Sequence, residues 1–336
     1  MQMLLDVVGF ALKGGVVVIA ALLVTGGVVA LARHGRQNEP RMVVRRLNRR
    51  FRMLADTVRS VVLARKPFKR YLRTAQKERK RRGPAGRRVF VLDFHGDIAA
   101  SAVTSLREEI SAILPVATDK DEVMLRLESS GGLVHAYGLA ASELARIKAK
   151  GIRLVVSVDK VAASGGYMMA CLGDEVIAAP FAILGSIGVV AQVPNLNRLL
   201  ERHGVDYEEM TAGEFKRTVS FLGKISPEGR QKFREQIEDT HVLFKEFVSE
   251  QRPGLDIARV ATGEYWFAKR ALELKLVDRL MTSDDYLLSQ VDTADIFHVA
   301  FKPPQLWRQR ISAATSDSVV RLLDVWLNRA RDSRLL

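Results

Sequence analysis

Two short stretches of this 336-residue chain hold the residue types from which acyl-transfer chemistry is built: Glu128-Ser129-Ser130-Gly131-Gly132 and Ala162-Ala163-Ser164-Gly165-Gly166. Glycines allow positive φ and a close approach of backbone to substrate, so N–H groups from two such loops can converge on one oxygen, as an oxyanion hole requires. The bland reading of each is a tight Gly-Gly turn. Ser164 is the side chain best placed to act as a nucleophile, at the head of a small-residue helix, although a serine there could equally serve as an N-cap. Residues 162–166 do not form Gly-x-Ser-x-Gly, so the α/β-hydrolase elbow is not matched. A serine nucleophile needs a base. None of the six histidines, His34, His95, His135, His203, His241 and His298, sits in a recognisable triad motif. A lysine made neutral by burial is the other option, and Lys160, Lys216 and Lys224 all remain open on sequence grounds. There is no His-Glu-x-x-His and no Gly-x-x-x-x-Gly-Lys-Ser/Thr, and the single Cys171 excludes both an intramolecular disulfide and a cysteine-rich metal site. No metal, nucleotide or other cofactor is expected.

Both loops must be held by something rigid, and the flanking pattern supplies it. Residues 89–94, 122–128, 152–158 and 175–179 are short, nearly continuous apolar and β-branched runs, expected of strands buried on both faces. Helical periods fill 99–114 and 133–150 between them. Strand and helix units repeating about every 30 residues predict an α/β domain with a largely parallel sheet, whose loops at the carboxyl ends of strands are where ligands bind. A long helix is expected from Pro227 to Gln251, stopped by Pro253-Gly254. From about residue 301 a basic tail follows, with one probable amphipathic helix at 317–329.

The formal net charge of +14 is local rather than general: residues 33–88 carry 21 Lys/Arg against 3 Asp/Glu, and the rest of the chain is slightly acidic. Upstream, residues 14–32 contain no charge over nineteen positions, about 28 Å as a helix and close to the thickness of a bilayer core. A membrane anchor within 1–32 is therefore expected in preference to a cleaved signal peptide, although Ala30-Leu31-Ala32 fits a cleavage site. The eight cations at 33–52 against Lys13 before the span place the bulk of the chain in the cytoplasm by the positive-inside rule. In 33–88 an apolar stripe, Val43, Val44, Leu47, Phe51, Leu54, Val58, Val61 and Val62, reads as one face of a basic amphipathic helix. A solvated Lys/Arg linker is expected to follow, ending at Gly83-Pro84. Anionic lipid headgroups are its natural partner; nucleic acid is not expected, since no recognition motif or aromatic interleaving accompanies the charge.

The glycine loops, with the runs Val-Asp-Lys-Val-Ala-Ala-Ser-Gly-Gly-Tyr-Met-Met-Ala-Cys, Ala-Pro-Phe-Ala-Ile-Leu-Gly-Ser-Ile-Gly-Val-Val-Ala-Gln and Thr-Ala-Gly-Glu-Phe-Lys-Arg-Thr, resemble the signal peptide peptidase A (protease IV) family. The match covers roughly residues 89–280, and the hydrophobic span with its charged linker resembles the single-anchor inner-membrane members. The resemblance implies a ClpP/crotonase-like peptidase domain over 89–300 and a serine–lysine dyad that hydrolyses peptides or membrane-protein fragments. By motif it implies Ser164 as nucleophile and Lys216 as general base. It implies Gly131, Gly132 and Gly165 for the oxyanion hole, with Ser186 supporting the substrate groove. The family usually has Ser-Pro-Gly-Gly at the first loop; Ser130 takes the proline position here. It further implies a homo-oligomer in which Lys216 can serve a neighbour's Ser164. A crotonase-type acyl-CoA enzyme and a catalytically silent membrane scaffold are the alternatives.

Overall fold

The computed structural model describes residues 40–83 and 86–303. One compact unit spans Val44–Ala300; of the other described residues, 41–43 begin the first strand and 301–302 end the last. In chain order the elements are β1 (Arg41–Arg46), α1 (Leu47–Val62), α2 (Arg65–Arg82), β2 (Arg88–His95), α3 (Val103–Ile113), β3 (Glu122–Glu128), α4 (Val134–Ala149), β4 (Arg153–Val158) and β5 (Val161–Ala163). There follow α5 (Gly165–Ala170), β6 (Glu175–Ala178), β7 (Ile183–Gly185), α6 (Asn197–Arg202), α7 (Pro227–Gln251), α8 (Ile257–Val260), β8 (Tyr265–Phe267), α9 (Ala268–Glu273), β9 (Arg279–Leu280), α10 (Ser283–Gln290) and β10 (Asp295–Lys302).

Seven strands form the main sheet in the order β1-β10-β2-β3-β4-β6-β9, and from β10 to β9 every pairing is parallel. Both faces are covered. Val89, Val91, Met124, Val155, Ile177 and Ile296 point to one side, where Leu47 of α1 and Tyr286 and Leu287 of α10 close over them; α3, α4 and α5 pack on the other. Double coverage is why the strands read as near-continuous apolar runs rather than alternating ones, and the expected α/β class is what the chain adopts. A small second sheet, β5-β7-β8, stands beside the first.

The expected helix at 227–251 has those bounds, because Ser226 caps it by accepting the Gly229 N–H, with Pro227 at the first helical position. Two expectations at 33–88 need correction. Residues 65–82 form a helix of 18 residues rather than a solvated linker: Lys, Arg and Gln are good helix formers once the surrounding chain fixes the turn. The apolar stripe also divides. Val43 and Val44 lie in β1, Leu47 and Phe51 pack onto the sheet, and Leu54, Val58, Val61 and Val62 remain exposed. The anchor expected within 1–32 and the tail helix expected at 317–329 lie outside the described residues. Among those described, no helix is long and apolar enough to cross a membrane.

Candidate active site

The two glycine loops are adjacent because the backbone joins them. Ser129, the residue after β3, donates its N–H to Val161 O (2.9 Å) and accepts the Ala163 N–H on its carbonyl (3.0 Å), a parallel bridge between Ser129 and Ala162. The first loop is thereby fixed against β5, whose end delivers Ser164. Gly131 (φ +91°) lies so close to the Ser164 turn that a Cβ on it would stand 2.8 Å from Ala163 O, Gly165 N and Ser164 Cβ alike. No other residue fits there.

Ser164 itself has φ +52°, a left-handed conformation costly for a residue with a side chain and one that clusters at functional sites. Its N–H donates to Gly185 O at 2.8 Å, tying it to the end of β7. The hydroxyl makes no capping bond to α5, so the N-cap reading fails and the Oγ is left uncommitted at the helix start. Gly165, next in line, is the first residue of α5, and a helix leaves the N–H groups of its first turn without intrahelical partners. Around Ser164 runs a narrow, largely apolar cleft of about 20 Å³, lined by Gly132, Val134, Gly165, Met168, Gly188, Val189 and, from α7, Thr240 and Phe244. That is room for about one water.

Ser186 also has positive φ, +51°, and its N–H donates to Glu264 O at 2.6 Å. It directly follows Gly185, whose carbonyl holds the Ser164 N–H, so it abuts the Ser164 turn through the backbone. The lysines behave differently from the buried amine that the chemistry calls for. Lys216, Lys224 and Lys160 are all exposed, and Lys160 is held by Glu128 at 3.0 Å. Lys216 sits in the irregular stretch between α6 and α7 and does not line the Ser164 cleft. A single chain brings together Ser164 and the three glycines; Lys216 is not among the residues that line their cleft. No histidine lines the cleft, though His241, next to Thr240, keeps a buried Nε2 without a hydrogen-bond partner.

Beneath the loops lies a tyrosine that no sequence motif marks. Tyr137 of α4 is fully buried, meets Phe94 edge-on, and places its hydroxyl 2.6 Å from Ser129 Oγ and 2.8 Å from Asp97 O. Burial, opposed by the Ser129 hydrogen bond, raises its pKa above the ordinary phenol value. A tyrosine on the apolar face of a helix carries no signal in the sequence that separates packing from a polar role.

Comparison with known proteins adds three findings. The chain matches the model of peptidase family S49 over residues 146–296 and that of the S49 N-terminal region over 2–144. It is 55% identical over 235 residues to a probable protease SohB of Haemophilus influenzae, covering 70% of this chain and 67% of the relative, and 53% identical to the same-named protein of Buchnera aphidicola, covering 70% and 69%. Protease 4 of Salmonella typhi is 30% identical over 52% of this chain and 28% of its own length.

Proposed function

This chain belongs to peptidase family S49, and from that membership and the cleft around Ser164 we infer a membrane-held serine endopeptidase that cleaves peptides or membrane-protein fragments. Ser164 Oγ attacks the scissile carbonyl while neutral Lys216 takes its proton; the N–H groups of Gly131, Gly132 and Gly165 stabilise the oxyanion. The C–N bond then breaks as the lysine returns the proton to the leaving amine. Water, activated by the same amine, releases the acyl group and restores the serine. The observation that carries this reading is the strained, backbone-tethered Ser164 with a hydroxyl that caps nothing. The apolar walls, Val134, Met168, Val189 and Phe244, suit an extended apolar peptide.

Lys216 must lose water to act as a base, and its exposure in one chain supports a dyad completed between chains. The stretch that carries it exposes Val205, Tyr207, Met210, Phe215 and Phe221, a concentration of apolar surface suited to burial against another copy. At the other end, Leu54, Val58, Val61 and Val62 of α1 recur at helical spacing and are exposed, flanked by Arg50, Arg65 and Lys66. This is the composition of a helix lying on an anionic lipid surface. The charge asymmetry around 14–32 supports a cytoplasmic active site in a single-pass bacterial inner-membrane protein; a C-terminal alkaline phosphatase fusion should be inactive, and an active one would place the domain outside.

A fluorophosphonate tests the chemistry. It should modify the full-length chain at Ser164, with both labelling and peptide hydrolysis lost in Ser164→Ala. An unlabelled Ser164 in folded protein would turn the reading toward an acyl-CoA enzyme using the same backbone donors, or toward a silent scaffold.

A further inference from the structure

We propose that Tyr137 and Ser129 are positioning residues for the oxyanion hole, acting through a directed chain of hydrogen bonds that ends on the N–H of Gly131. This rests on the serine-peptidase reading and deepens it.

The direction of the chain follows from counting protons. Asp97 O is a carbonyl and can only accept, so the Tyr137 hydroxyl at 2.8 Å spends its one proton there. The Ser129 hydroxyl, 2.6 Å from the same Oη, must therefore donate to it. Its lone pairs then face Gly131, whose N–H donates to Ser129 Oγ at 3.1 Å. The sequence Gly131 N–H, Ser129 O–H, Tyr137 O–H, Asp97 C=O leaves no rotor undetermined. The Gly131 N–H is long and weakly held by Ser129, so its direction is set while it can still be shared with a developing oxyanion.

The surroundings leave no space for this chain to relax. A Cβ on Gly96 would stand 2.3 Å from Tyr137 Oη and 2.4 Å from Ser129 Oγ; one on Gly165 would stand 2.4 Å from Tyr137 Cγ; one on Gly166 would stand 2.5 Å from Ser129 O. Three glycines thus clear the volume that the Tyr137 and Ser129 pair fills, and two of them directly follow the nucleophile. The tyrosine ring supports Gly165 while its hydroxyl steers Gly131, so one side chain sets the relative placement of both loops.

Tyr137→Phe removes one oxygen and keeps the ring; Ser129→Ala removes the other hydroxyl. Each is expected to lower kcat and the rate of Ser164 phosphonylation by roughly 10- to 100-fold with KM within about twofold, because misdirecting a donor costs most where charge develops. The double variant should lose no more than the worse single one, since both break one chain. The Gly131 amide should exchange with deuterium more slowly in the wild type than in Ser129→Ala. Wild-type labelling at Ser164 with unchanged kcat in the folded variants, additive losses, or a Gly131 amide that exchanges equally fast in both proteins would each overturn the proposal alone. A wild type that is not labelled at Ser164 would remove the peptidase reading and this proposal together.

Discussion

Single residues decide what this site can do, and their conformations matter as much as their identities. Ser164 and Gly131 are legible in the sequence as types, but the φ of +52° at Ser164 and the 2.8 Å clearances around Gly131 are properties of how β5 and the first loop meet. Ser129 and Tyr137 were not legible as a pair. Their partners Asp97 and Gly131 are separated along the chain, and it is the pairing of β2 with β3, continued by the Gly96 N–H donating to Glu128 O, that brings them together. Charged residues away from the cleft hold the frame. Asp121 is buried, which by itself would raise its pKa, yet the Arg88 guanidinium and the Thr118 N–H and hydroxyl outweigh that and hold it at about 2. Its folded pKa lies below the ordinary value of 3.8, so its contribution is complete above about pH 4 and is lost as pH falls toward 2. Between those limits the wild type should lose roughly 2 kcal/mol that Asp121→Asn does not. Parallel acid-unfolding curves for the two proteins would contradict this.

Elements were readable wherever one physical cause dominated. The strands of the main sheet announce themselves because both faces are buried, and α7 because Ser226, Pro227 and Pro253 mark its ends. Segment 65–82 hid its helix behind charge, since a run of Lys and Arg reads as solvated chain until its neighbour α1 is seen to turn back on it, with Arg59 stacked on the Tyr71 ring at 4.6 Å. The division of the α1 stripe was invisible for a related reason: periodicity identifies apolar positions but not which of them the sheet covers. Asn48 on the covered side donates to Val291 O and Ala294 O and accepts the Ile296 N–H, which fixes the rotation of α1 and turns Val58 and Val61 outward. A solvatochromic dye on Val61→Cys, specific because Cys171 is buried, should shift to the blue when the full-length protein is reconstituted with anionic lipid rather than zwitterionic lipid. Equal spectra in the two would contradict a lipid-facing α1.

At the scale of the whole molecule, one chain brings together the proposed nucleophile and its proposed oxyanion donors but keeps the amine proposed as base at the surface. The family resemblance implies Lys216; that it lies exposed in an apolar-rich stretch and does not line the Ser164 cleft is a tertiary fact no motif carries. In the proposed enzyme, therefore, each cleft borrows its base from a neighbouring chain of an assembly. Equimolar co-assembly of Ser164→Ala and Lys216→Ala chains measures this most directly. Each variant alone should be inactive, and random pairing in a closed ring should return about one quarter of wild-type hydrolysis, since one interface in about four unites an intact serine with an intact lysine. A mixed assembly as inactive as its components would contradict the shared dyad.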